Sequence, residues 1–211
     1  MTVALVDEAN IRLYRELAGI KANLDIYRIL GLNSGAIKKS VGKEFFAFVQ
    51  AQSLKAVLLG LSKVFENNGR YKLCSLSGIY DLAKGIDIAN PNVVCQFVEA
   101  YGVAHSADWK VDVEKVLSEQ RQKFQPEIDR LKDLRDQKFA HMDQAAADSN
   151  IGPSYDSLEK MILFADAFHS FVHEAFIGGY ASPVAEYMNM ENSLVRLLKE
   201  VGVKDPALVL K

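Results

Sequence analysis

The run "EFFAFVQAQSLKAVLLGLSKVF", Glu44 to Phe65, decides the fold class. It is apolar on most sides, and a helix of that kind sits in the middle of a bundle. A membrane span needs about 20 predominantly apolar residues with few polar groups at mid-depth. This run is interrupted by Gln50, Gln52, Ser53 and Lys55. The expectation is therefore a buried core helix from Ile37 to Glu66, not a span.

Helical periodicity continues on both sides of this run. Upstream, Val6, Leu13, Leu17, Ile20, Leu24 and Tyr27 recur at spacings of three, four and seven, one stripe on a helix. "GLNSG", Gly31 to Gly35, supplies turn formers that end it. Downstream, Ser75 or Ser77 can cap a short helix that Gly85 ends. A helix from Val93 to Tyr101 follows, then a charged amphipathic segment from Ala107 to Asp143. Pro126 breaks that segment or starts a fresh helix, since proline removes a helical donor but suits a first turn. "DSLEKMILFADAFHSFVHEAF", Asp156 to Phe176, is strongly apolar, with Ser157 or Asp156 as cap and "GGY" as stop. A last helix occupies Asn192 to Val201. No strand alternation, internal repeat or low-complexity tract is visible. The expected class is all-α, an up-and-down helical bundle with one core.

The 211 residues suffice for one well-buried core. Hydrophobic residues make up 49% and charged residues 25%, an ordinary globular balance. A net charge of -2 and a pI of about 6.1 argue against nonspecific coating of nucleic acid or anionic membrane, while leaving room for a local basic patch. Cys74 and Cys95 form no CxxC pair, as expected of reduced thiols in a cytoplasmic protein. The N-terminal "MTVALVDEANIRLYRELAG" has neither a basic start nor a long apolar run, so it does not read as a signal peptide.

One stretch fits the bundle poorly. In "LKDLRDQKFAHMDQ", Leu131 to Gln144, the apolar spacing carries a charge with it. On a wheel with Phe124 at zero, Ile128 falls at about 40°, Leu131 at about 340°, Phe139 at about 60° and Met142 at about 0°. Arg135 falls at about 20°, the centre of the stripe, Lys138 at about 320° on its flank, and His141 at about 260° beside Leu134. A buried charge is expensive unless paired or set in a solvated cleft. Such a face suits a groove at a partner surface; a carboxylate from another helix, or an arginine snorkelling out of the core, would also satisfy it.

The local pattern "RDQKFAH", Arg135 to His141, resembles the signature of the HEPN superfamily. There an arginine followed by a polar residue precedes a histidine by a short gap. Arg135, Asp136 and His141 fill those places. "FAHMD", and the apolar helix, polar turn and serine-led short helix in "EFFAFVQAQSLKAVLLGLSKVFENNGRYKLCSLSGIYDL", look like the abortive-infection branch. The resemblance implies one HEPN-like helical domain over residues 1–211, with a core at about 10–180 and a C-terminal extension carrying a short helix at 181–211. It implies a dimeric endoribonuclease of a toxin-antitoxin or phage-defence system, with RNA as substrate, an antitoxin as partner, no membrane and no metal or other cofactor.

That chemistry suits the residues. RNA carries its own nucleophile, the 2′-OH, and histidine exchanges protons near neutral pH. A fixed guanidinium stabilises the charge gathered on phosphorus oxygens in the transition state. The resemblance thus makes Arg135 and His141 catalytic. Asp136 either aims a partner's side chain or is a solvated charge, and Lys138 and Lys132 contact the RNA backbone. Six residues on a straight helix separate two side chains by about 120° and about 9 Å. One Arg135 and its own His141 diverge, which favours a composite site formed by two chains. The alternative is a HEPN-fold dimer that binds or regulates without cutting RNA.

Asp166, His169 and His173 share a helix face at spacings of three and four. Two histidines four apart can ligate zinc when a third ligand arrives, but aromatic neighbours favour packing or hydrogen bonding. His105, in "VAHSADW", has no arginine in the required upstream window.

Overall fold

The computed structural model describes residues 2–40, 42–67, 71–135, 153–184, 190–204 and 206–207. The described elements are α1 (Val3–Leu32), α2 (Ser34–Ile37), α3 (Lys43–Val64), α4 (Leu76–Ala83), α5 (Pro91–Ala100), α6 (Trp109–Lys123), α7 (Gln125–Leu134), α8 (Tyr155–Val172) and α9 (Met190–Glu200). No strand occurs among the described residues, and the fold is an all-α bundle.

The stripe on α1 is the spine. Val6, Ala9, Leu13, Leu17, Ile20 and Leu24 are buried, and α1 packs on α3, α8, α4 and α9. It packs tightly on α3 at Gly60, where an added Cβ would lie 2.5 Å from the Ile20 Cγ1. The second spine is α8, with Leu158, Met161, Phe164, Ala165, Phe168 and Val172 buried. Phe171 stacks on Phe97 of α5 at 4.3 Å between ring centres. A π turn, His173–Ile177, continues α8, and Gly178 and Gly179 at φ 98° and 88° end it in a conformation that favours glycine. Main-chain N–H groups of Ala89 and Asn90 donate to the Ala175 carbonyl, tying the loop before α5 to this turn.

The central place expected for the Glu44–Phe65 run is only half realised. Its second half buries Val57, Leu58, Leu61 and Val64, but its first half leaves Phe45 and Phe48 60% and 63% exposed. There Phe46 turns inward and Val49 packs partly buried against the small second cluster, not the main core. By length and composition alone, α3 is apolar enough to cross a membrane. The structure also starts α3 at Lys43, because "GLNSG" does not simply end α1. Its helix runs through Leu32, and Ile37 belongs to the separate turn α2.

A second, smaller apolar cluster joins Ile29, Leu30, Ile37 and Phe46 to Leu194, Leu198 and Val203. With 30 residues, α1 is about 45 Å long at 1.5 Å per residue, so its far end outruns the main core and takes its own cover from α9. Asn33 closes this end. Its Oδ1 accepts from the Ala207 N–H at 2.7 Å, and its Nδ2 donates to the carbonyls of Ile29 and Ala207.

Caps follow the local sequence with one correction. The Ser75 hydroxyl accepts from the Gly78 N–H and starts α4. Pro126 sits in the first turn of α7, after a break at Phe124. The cap of α8 is Ser154, whose hydroxyl accepts from the Ser157 N–H at 3.1 Å; neither Ser157 nor Asp156 caps it. Extended backbone at Ser154 lets its oxygen reach the third residue of the helix, so the helix begins earlier than the apolar pattern does. Ser157 instead donates to Glu127, linking α8 to α7.

Candidate functional site

The site grows from the meeting of α3, α6 and α7. After Pro126, α7 buries Ile128, Leu131 and Leu134 and directs its C-terminal end along the end of α3. Arg135 follows directly, with φ -60° and ψ -49°, so the chain is still helical there. Ile128, Leu131 and Leu134 are buried on this face, and Arg135, which follows on the same side, is half-buried.

There Arg135 lines a cleft of about 200 Å³. Leu61, Phe65, Ile128 and Leu131 form an apolar floor, and Ser62, Glu66, Asn67, Arg121 and Lys132 bring polar groups to its walls. Lys132 is exposed, with its ammonium 3.9 Å from Asp129, a surface pair of little energetic weight. Of the expected site residues, the structure brings Arg135 and Lys132 to one cleft. Asp136, Lys138 and His141 lie outside the described residues.

Arg121 is a residue that sequence reasoning passed over. It comes from α6, is half-buried, and donates through Nη1 to the Phe65 carbonyl at the end of α3. No periodicity signal singles it out, because its place depends on how α6 meets α3. Beside it, the Glu66 carbonyl accepts from the Ser77 hydroxyl at 3.0 Å, and the Glu66 Oε2 is buried without a hydrogen-bond partner.

The histidine-bearing face of α8 is built differently. Both oxygens of Asp166 accept from the Val184 N–H at 3.1 Å, fixing the segment after the π turn. His169 is 6% exposed, its ring 5.3 Å from that of Tyr14 and 6.4 Å from that of His173. Burial, and secondarily the neighbouring His173, push the His169 pKa down to about 4. It is thus a neutral imidazole, with its carbonyl accepting from the Asn10 side chain and its Nδ1 buried without a partner. Among the described residues no group of three His, Cys, Asp or Glu side chains is placed to hold a metal ion. His105 is engaged with Asp112, Nδ1 to Oδ2 at 3.0 Å. The Asp112 carboxyl is held below its usual range by the Ser106 N–H and hydroxyl, and further by His105.

Set beside known proteins, residues 4–196 match the HEPN family model described as AbiU2. No curated protein and no solved structure matches the chain.

Proposed function

Because the chain belongs to the AbiU2 family of HEPN proteins, an abortive-infection family, we propose that it is a metal-independent endoribonuclease working in the cytoplasm as a toxin or phage-defence effector. The observation that carries this reading is Arg135. The arginine of the "RDQKFAH" pattern stands half-buried on a cleft with two further cations, where an RNA phosphate can reach it.

The reaction is transesterification within RNA. The ribose 2′-OH gives up its proton and its oxygen attacks the adjacent phosphorus. The bond from phosphorus to the 5′ oxygen breaks, and that oxygen takes up a proton. The products are a 2′,3′-cyclic phosphate and a 5′-OH, with no change in oxidation state. His141 takes or gives the proton, and Arg135 neutralises charge on the non-bridging oxygens. Asp136 aims a neighbouring side chain, and Lys138 and Lys132 hold the RNA backbone. On a straight helix a six-residue spacing separates two side chains by about 120°, which supports a composite site, with a twofold dimer supplying arginine and histidine from different chains. An antitoxin would act as a partner that restrains it.

Structured RNA in EDTA, incubated with the wild type, Arg135→Ala and His141→Ala, tests this. Cleavage by the wild type alone, leaving cyclic phosphate ends, is expected. Equal cleavage by all three would mean contamination and sink the assignment. The net charge of -2 favours a second reading, a HEPN dimer that binds without cutting. It predicts a complex with RNA or protein and no cleavage by any form.

A further inference from the structure

We propose that Arg121, from a helix outside the "RDQKFAH" pattern, forms with Arg135 and Lys132 a subsite for a backbone phosphate of single-stranded RNA. The RNA identity of the ligand rests on the ribonuclease reading above; the subsite itself requires no cleavage.

Charge is the first argument. Three cations, Arg121, Lys132 and Arg135, line the cleft with one carboxylate, Glu66, and a second, Asp129, lies 3.9 Å from Lys132 outside the lining. In a chain of net charge -2, that is a local excess of the opposite sign. The way Arg121 is held is the second. Arg12, Lys21 and Lys63 each lie against a carboxylate, of Glu8, Asp25 and Glu16. Arg121 instead donates to a neutral main-chain carbonyl, that of Phe65. The bond fixes the guanidinium at the end of α3, and among the described residues no carboxylate forms an ion pair with it. Its remaining N–H groups keep the planar fork that matches two phosphate oxygens. Shape is the third. At about 30 Å³ per water, a cleft of about 200 Å³ has room for a phosphate and part of its sugar. The apolar floor suits the ribose face, and the polar wall carries the cations. Arg121 thus binds and positions the strand that Arg135 acts on, while taking no proton itself.

The test uses the full chain and a 5′-labelled single-stranded RNA with every ribose 2′-O-methylated, which cannot be cut. Fluorescence anisotropy is followed across a salt series. Arg121→Gln should weaken binding about tenfold, the loss of one charge-assisted contact. It should also flatten the slope of log affinity against log salt by about 0.7, one phosphate contact fewer on a single strand. Arg121→Lys should restore the slope but only part of the affinity. Because Arg121 also ties α6 to α3, thermal melting checks the fold of each variant. Should Arg121→Gln fail to fold, the exposed Lys132→Gln decides, with the same loss of slope expected. Unchanged affinity and slope in a folded Arg121→Gln would overturn the proposal. So would a wild type that binds no RNA, which would remove the ribonuclease reading as well. Arg121-dependent binding with unmodified RNA left uncut would keep the subsite and remove only the ribonuclease.

Discussion

The buried His169 gives a sharp stability prediction. In the folded chain it titrates at about 4, against 6.5 for an ordinary histidine, because burial disfavours the imidazolium and His173 adds to the effect. The unfolded chain therefore binds a proton below about pH 6.5 that the folded chain refuses until about pH 4. Stability is full above the unfolded value and falls as pH drops through that window, levelling off once the folded form also protonates. At 1.36 kcal/mol per unit, the loss is about 3 kcal/mol. Little of this is screened by solvent, since His169 is 6% exposed. The groups around it are the Tyr14 ring, the Asn10 side chain and His173. The perturbation is His169→Gln, which removes the titration and keeps a polar side chain of similar length. Urea unfolding of both proteins at fixed concentration, from pH 7.5 to pH 4, is the assay. The stability of the wild type relative to the variant should fall by about 3 kcal/mol across that range. Carboxylates that titrate in both proteins cancel in the difference. Parallel pH curves would refute the reasoning, and would mean that the site admits a charged imidazole at little cost.

Three further predictions concern the scaffold. Gly78→Ala in the first turn of α4 places a Cβ 2.4 Å from the Lys72 carbonyl oxygen, a main-chain atom that cannot swing away, and should cost about 2 kcal/mol or more by thermal or urea unfolding. Gly35→Ala meets nothing within 4 Å and should change stability by less than about 0.5 kcal/mol in the same assay. Asn33→Ala removes both side-chain bonds to Ala207, and should speed hydrogen exchange at the Ala207 amide while leaving the α8 core protected.

Much of the fold was legible in the chain because its signals are local. The spacing of Val6, Leu13, Leu17, Ile20 and Leu24 fixes a buried stripe through helical geometry alone. Ser75 as a cap and Pro126 as a first-turn residue depend only on their near neighbours. The cap of α8 was misread, since an apolar pattern marks where burial begins and Ser154 stands three residues before Ser157. The exposure of Phe45 and Phe48 could not be read either, because hydropathy does not say where a bundle ends.

The candidate site divides along the same line. Arg135 could be picked out because one helix carries it beside Ile128 and Leu131 at known angles, whereas Lys132 came with the family resemblance. His141 came from the pattern to which it belongs. By itself, the sequence determined an all-α chain of the HEPN type with an arginine misplaced for a dry core, since helical phase depends only on residue spacing. Only the tertiary structure decided that Arg121 of α6 joins it at the end of α3, and that His169 is sealed against Tyr14. Those meetings depend on the crossing and register of helices far apart in the chain, which packing sets and local periodicity does not encode.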